Sequence, residues 1–178
     1  MTRWILPLIV GAACAAGSWF FAMSVTPYAL MEVATQRITT QSPWNVFTHS
    51  PPVDARRQFV VRPSPDLLYS TCPFDLSAGP VEVTAVPVPD RYNSISVFDA
   101  RTDVVFVKND EQMAGQPMRV VLALAGQAVP AGVEVVRLKA PKGIVLQRVL
   151  LADPAEAATV DPIRSQARCG VVRASSAS

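Results

Sequence analysis

Apolar positions fall along this chain in two unlike patterns. From Trp4 to Met23 the sequence reads WILPLIVGAACAAGSWFFAM, without a charge. A helix of about twenty apolar residues reaches across the hydrocarbon core of a bilayer, so this run predicts one transmembrane helix. From Arg57 onward the apolar runs are short and separated by turn residues, the pattern of an antiparallel β domain. The expected strands are Phe59-Val60-Val61, Val81 to Val86, Asn93 to Phe98, Val104 to Val107, Met118 to Ala125, Gly132 to Leu138 and Gly143 to Leu151. Val81, Val83 and Ala85 alternate with Glu82, Thr84 and Val86, as a strand covered on one face requires. About seven to eight such strands make a mostly β fold, an antiparallel β-sandwich or a small barrel. After them, Asp153 suits an N-cap and Pro154 the first helical position, so Ala155 to Arg168 predicts a short C-terminal helix, divided by Pro162.

The flanks of the apolar run decide between an anchor and a cleaved leader. Arg3 and the small residues Ala13, Cys14 and Ala15 would suit a signal peptide. Cleavage there would leave Trp19, Phe20, Phe21 and Met23 on a soluble product, so an uncleaved anchor is expected. A lipid-attachment box before Cys14 would need a large aliphatic residue where Gly11 stands. Trp4 at one end, and Trp19 with Tyr28 at the other, are placed like interfacial aromatics. Arg3 alone on the short side keeps that side cytoplasmic and sends the body across the membrane. Pro27 is expected to break or kink the helix, leaving Tyr28 to Ile38 either as an amphipathic stretch on the membrane surface or as plain linker. Gln41 to Val53 holds Pro43, Pro51 and Pro52 and should connect anchor to body without regular structure. The chain thus divides into an anchor and juxtamembrane segment (1–38), a proline-rich linker (39–56) and a β domain with C-terminal helix and tail (57–178).

Composition narrows the chemistry. The 178 residues suffice for one domain; half are hydrophobic and only 17% charged, which excludes a disordered chain. A net charge of +2 supplies no basic excess for a phosphate backbone, so no nucleic-acid partner is expected. His49 is the single histidine and falls in the linker, which puts a histidine-based triad or a zinc site of several imidazoles out of reach. Cys-x-x-Cys, glycine-rich phosphate-loop and Gly-x-Ser-x-Gly motifs do not occur, and no catalytic residue, metal or cofactor is expected. Cys14 reads as a small packing residue in the span. Cys72 and Cys169 either form a disulfide, if the body lies in an oxidising compartment, or stay as buried thiols.

What remains is a set of acids, tyrosines and arginines: Asp66, Tyr69, Asp75, Asp90, Arg91, Tyr92 and Asp99, with Arg101 and Asp103 nearby. Two carboxylates within reach of one another could do acid–base work or hold a cation. Asp75 and Asp90, however, stand where turns need side-chain caps, and a structural role is the stronger reading. Asn93, Ser94 and Ser96 either line a groove or face water. Arg137, Lys139, Lys142 and Arg148 bring positive charge to an expected last hairpin, for lipid headgroups or a partner, or as scattered surface charge.

Arg62 to Val107 resembles the core of a bacterial family, domain of unknown function 1254. The matching residues are Asp66 with Leu68-Tyr69-Ser70, Asp75-Leu76-Ser77 with Gly79-Pro80, Asp90-Arg91-Tyr92, Ser94, and Asp99-Ala100 followed by Thr102. Ala140-Pro141 leading into Val145 to Leu151, and the Asp153-Pro154 helix start, are similar to the family's final strand and following helix. Ser64 and Pro65 stand where the commonest family segment has an asparagine and a charged residue. The resemblance implies a short, membrane-anchored member. In long members this domain precedes a second β domain, of the unknown-function family numbered 1214, so a separate companion β domain or a larger membrane complex is an implied partner.

Three functions follow as expectations. The first is a non-catalytic interaction or accessory subunit, held through Trp4 to Met23 in the bacterial inner membrane with its body in the periplasm; a tether raises its effective concentration toward other anchored proteins. The second is half of a hydrolase-like enzyme completed by the companion domain. The third, a lipid- or small-ligand-binding sandwich, would need an apolar cavity.

Overall fold

The computed structural model describes residues 2–53 and 63–172. The expected strand at Phe59-Val60-Val61 lies outside the described residues. After one 3-10 turn at Thr2–Trp4, α1 (Ile5–Thr39) runs as a single helix of 35 residues. It is long and apolar enough to span a membrane, and every residue from 5 to 26 is exposed. Pro27 does not end it. A proline removes one backbone donor from the ladder, a loss the flanking turns absorb here because the following residues are held by the body. Met31 and Thr35 are buried and Ala34 and Ile38 half-buried, a stripe at helical spacing along which α1 meets β2 (Leu67–Asp75) and β8 (Lys142–Leu150). The stretch after Pro27 is therefore the docked end of the same helix.

The remaining elements are β1 (Thr48–His49), β3 (Val81–Ala85), β4 (Asn93–Phe98), β5 (Val104–Asn109), α2 (Asp110–Met113), β6 (Met118–Leu124), β7 (Glu134–Leu138), α3 (Ala157–Arg164) and β9 (Arg168–Val171). They build two sheets, β1-β2-β8-β4-β5 and β7-β6-β3-β9. The mostly β, two-sheet expectation holds, and the sheets do not close into a barrel. Cys72, Phe74, Ile95, Val97 and Val145 from the first sheet pack against Val81, Val83, Val120, Leu122 and Leu138 from the second. Each fully buried side chain of this kind contributes roughly 1.5–3 kcal/mol, and together they hold the sheets face to face. The alternation read at Val81, Val83 and Ala85 is the inward face of β3. Gly143 is required by close approach: a Cβ there would collide with the Phe98 carbonyl and the Phe74 ring.

Several expectations need correction. The pairing is not wholly antiparallel, because β6 and β7 run parallel. Gly126 and Gly132, both at positive φ, let the connection double back, and the Arg137 guanidinium donates to the Leu124 and Gln127 carbonyls to hold it. β7 and β8 belong to different sheets, so the expected last hairpin does not form. Its four cations do not make one patch: Lys142 lies over the Trp44 ring while Arg137 holds the loop. The residues from Gln41 to Val53 are not devoid of regular structure. They carry Phe47 into the core and form β1, which pairs Thr48 with Thr71 and His49 with Ser70. Pro162 sits inside α3 without dividing it, while the Asp153 carboxylate caps the preceding 3-10 turn by accepting from the Ala155 N–H at 2.7 Å. The helix ends at Arg164, short of the expected Arg168, which instead opens β9, where Cys169 is bonded to Cys72 of β2 and ties the two sheets together.

Candidate functional site

Strand register separates the polar residues singled out from sequence into two groups. Tyr69 and Arg148 face one another across β2 and β8, and Arg148 faces Ser94 on β4. Near that end, the Asp66 carbonyl accepts from Leu151 and the Tyr92 carbonyl from Leu150. Asp66, Tyr69, Asp90, Arg91 and Tyr92 thus share one end of the first sheet. Asp75 and Asp99 lie at the other, where β2 ends and β4 turns into β5. The seven residues do not converge.

Most of them organise backbone. The Asp75 carboxylate accepts from the Ser77 N–H at 2.9 Å. Asp99 accepts from the N–H groups of Arg101 and Asp103 at 2.7 and 3.1 Å. The Tyr69 hydroxyl accepts from the Ser64 N–H at 2.9 Å. Asp90 occupies a left-handed turn position with φ 57°. Arg91 reaches across to Glu156, its Nη1 lying 2.7 Å from Oε2, and so ties the β3–β4 loop to the start of the C-terminal helix. That hydrogen bond holds the Glu156 carboxyl below its usual range, with the Ala152 N–H as a further donor.

Asp90, Arg91 and Tyr92 line an open pocket of about 570 Å³ with Pro87, Val88 and Asp110. Asn93, fully buried next to it, donates from Nδ2 to the Val86 carbonyl, while its Oδ1 has no partner among the described residues. The pocket mixes two carboxylates, one guanidinium and one phenol. Among the described residues no group of three His, Cys, Asp or Glu side chains comes together that could hold a metal ion.

Sequence reasoning set aside His49 and overlooked Arg164, and both belong to one polar network reaching into the body. Arg164 on α3 is 1% exposed. It donates to the carbonyls of Tyr69 and Ser50, each at 2.7 Å, and to the Asp161 carboxylate, with Ser70 Oγ at 3.3 Å. Ser70 Oγ lies 2.9 Å from His49 Nδ1. Burial first, and then the Arg164 and Arg168 charges, push the His49 pKa below its ordinary value, against an opposing pull from Asp161. A neutral imidazole shares one hydrogen bond with the Ser70 hydroxyl, its direction set by which ring nitrogen carries the proton. The pair resembles a nucleophile and its base, but Ser70 is completely inaccessible, so it cannot meet a substrate in this arrangement. The fully buried Gln147 lies opposite Ser70 on β8, its amide atoms without protein partners. This polar layer separates the inter-sheet core from a smaller cluster of Leu68, Val88, Val149, Leu151 and Val160 beneath α3.

Comparisons with known proteins agree with this architecture. The chain is similar to the VPA0106 protein of Vibrio parahaemolyticus, whose crystal structure superposes with a TM-score of 0.63 at 18% identity, covering 84% of this chain and 37% of that one. It is also similar to an uncharacterised protein of Burkholderia cenocepacia, with a TM-score of 0.50 at 16% identity, covering 91% of this chain and 43% of that one. At such identities the likeness speaks for the fold alone. The chain spans about two fifths of the length of the solved structures it matches. Among curated proteins no relative matches the sequence. The family described as protein of unknown function (DUF1254) matches residues 44–170, from Trp44 before β1 into β9, and the chain belongs to that family.

Proposed function

We propose that this protein is a single-pass, membrane-anchored accessory subunit whose β domain lies in the periplasm of a bacterium and binds a second protein without catalysis. The observation that carries the reading is α1: its residues 5–26 are bare and almost wholly apolar, while its last turns are part of the body. Apolar surface of that extent needs lipid or protein around it. The Cys72–Cys169 bond supports an oxidising compartment for the body, and Arg3 ahead of the helix supports a cytoplasmic amino terminus. The partner in this reading is a companion β domain of family 1214 or a larger membrane complex. The inaccessible Ser70 favours binding over hydrolysis at that pair.

The test is detergent extraction of a tagged full chain from bacterial membranes, followed by mass spectrometry of what comes with it. The expected result is a chain that resists alkaline extraction, is digested by protease added to spheroplasts, and carries one partner at fixed stoichiometry. A chain found in the soluble extract, or one that always purifies alone, would overturn the reading.

A further inference from the structure

We infer that the β5 edge of the sandwich, from the 99–103 turn through Val107, lies on the bilayer surface as a second membrane contact beside the helix. The inference rests on the anchor reading above and adds which face of the body meets lipid.

The first support is where the helix leaves the body. The Arg101 guanidinium sits 5.9 Å from the centre of the Tyr28 ring. The bare part of α1 ends at residue 26, so at 1.5 Å per residue the Tyr28 backbone that meets Arg101 lies about 3 Å along the axis from it. The second is direction. In the sheet order β1-β2-β8-β4-β5, α1 passes the β4–β5 turn at Tyr28 and then contacts β8 and β2. The docked end therefore heads toward the β1 side, and the bare end extends past the β5 side.

The third is what that side presents. Val104, Val105 and Val107 are 52%, 40% and 48% exposed on an edge strand. A register shift opposite Val97 and Phe98 leaves Val105 as the extra residue of a bulge. Edge strands normally carry charge or cover, because open apolar edges invite pairing with other chains. Here Lys108 pairs with Glu134 of β7 at the far end, while the half next to the turn has valines with Arg101 beside them. The turn is also rigid: Asp99 accepts from two of its backbone N–H groups, and Thr102 donates to the Asp99 carbonyl at 3.1 Å. Of its two carboxylates, Asp99 is held by those N–H groups, and the exposed Asp103 lies 3.9 Å from the Arg101 guanidinium. Valines at the boundary of the acyl chains with a guanidinium at phosphate level are the arrangement of an interfacial contact.

The experiment uses the full chain carrying Cys14→Ala in vesicles of phosphatidylethanolamine and phosphatidylglycerol. An environment-sensitive fluorophore is placed by Val104→Cys, Val107→Cys, Phe20→Cys or Thr159→Cys, one at a time. Thr159 is exposed on α3, which Arg164 holds against the β1–β2 side. Shallow spin-labelled lipid should quench the labels at 104 and 107 at least about twofold and leave the label at 159 unchanged. If 104 and 107 report water as 159 does while the label at 20 is quenched by lipid, the helix is inserted and this inference is overturned alone. If the label at 20 also reports water, the anchor reading falls with it.

Discussion

The two halves of α1 are apolar for different reasons, and the comparison shows what surface pattern says about environment. The half from residue 5 to 26 is almost wholly apolar around its circumference, and every residue of it is exposed. The half that follows buries Met31 and Thr35 against the sheet along one stripe, with Ala34 and Ile38 half-buried there, while Glu32, Gln36 and Arg37 lie in water and Tyr28, Leu30 and Val33 stay exposed. A one-sided stripe means one solid partner, whereas an all-round surface means a surrounding medium. Even the single hydroxyl on the docked stripe is satisfied within the helix, Thr35 Oγ1 donating to the Met31 carbonyl at 2.9 Å.

The widest difference between the halves should come from truncation. Removing residues 1–25 should move the protein from the membrane pellet to the soluble fraction and leave the unfolding midpoint of the body unchanged. Removing residues 1–41 uncovers the β2 and β8 face and should lower that midpoint in calorimetry. Equal loss of stability in the two truncations would mean that the bare half supports the body after all.

The next largest effect lies where the chain emerges from the docked half. Arg164 holds the Ser50 and Tyr69 carbonyls on either side of the β1–β2 pairing. Arg164→Met takes the donor from the Ser50 carbonyl, while the Tyr69 carbonyl keeps the Ser50 N–H at 3.0 Å, and loss of the charged hydrogen bonds should cost about 3 kcal/mol in urea unfolding. A smaller cost is expected on the docked stripe itself. Met31→Ala should destabilise the body by about 2 kcal/mol, while Phe20→Ala, removing a larger side chain from the bare half, should leave its unfolding unchanged. If Phe20→Ala destabilised the body as much as Met31→Ala, the distinction between the halves would be gone.

The helix, the β3, β4, β6 and β8 strands, and the capping aspartates were legible because each follows from periodicity or turn chemistry within a short window. β2 was not. Its inward residues Leu68, Ser70, Cys72 and Phe74 include two small polar or weakly apolar side chains, and Pro73 reads as a breaker. Proline is tolerated because β1 flanks β2 only at Ser70 and Thr71, leaving Pro73 beyond the paired residues. The buried network was hidden for a related reason: His49, Ser70 and Arg164 come from a proline-rich stretch, a missed strand and a helix over a hundred positions away. No local spacing joins them. The one hint available was an isolated histidine followed by short turns, and that points to a linker as readily as to a strand.

That network supplies the smallest predicted effect. His49 has its pKa lowered from 6.5 in the folded protein, chiefly by burial and then by Arg164 and Arg168. Folding therefore favours the neutral ring, and the unfolded chain binds the proton more readily. The stability this contributes is present in full above about pH 6.5, falls as pH drops below that value, and levels off below the lowered folded pKa. Glu156 titrates in a separate window, since its folded pKa lies below its ordinary value of 4.5 and its contribution is lost only at lower pH. Thermal unfolding between pH 7.5 and 5.5 thus isolates the histidine. The full chain in detergent should melt lower at pH 5.5, and His49→Gln, which keeps an acceptor for Ser70 but no titrating ring, should flatten that dependence. Protonation places a second cation beside Arg164 at the strand that follows the docked half, so the loss should appear first as faster hydrogen exchange in β1 and at Ser50, with none in the bare half of α1. An unaltered slope in His49→Gln would assign the pH dependence to groups outside this network.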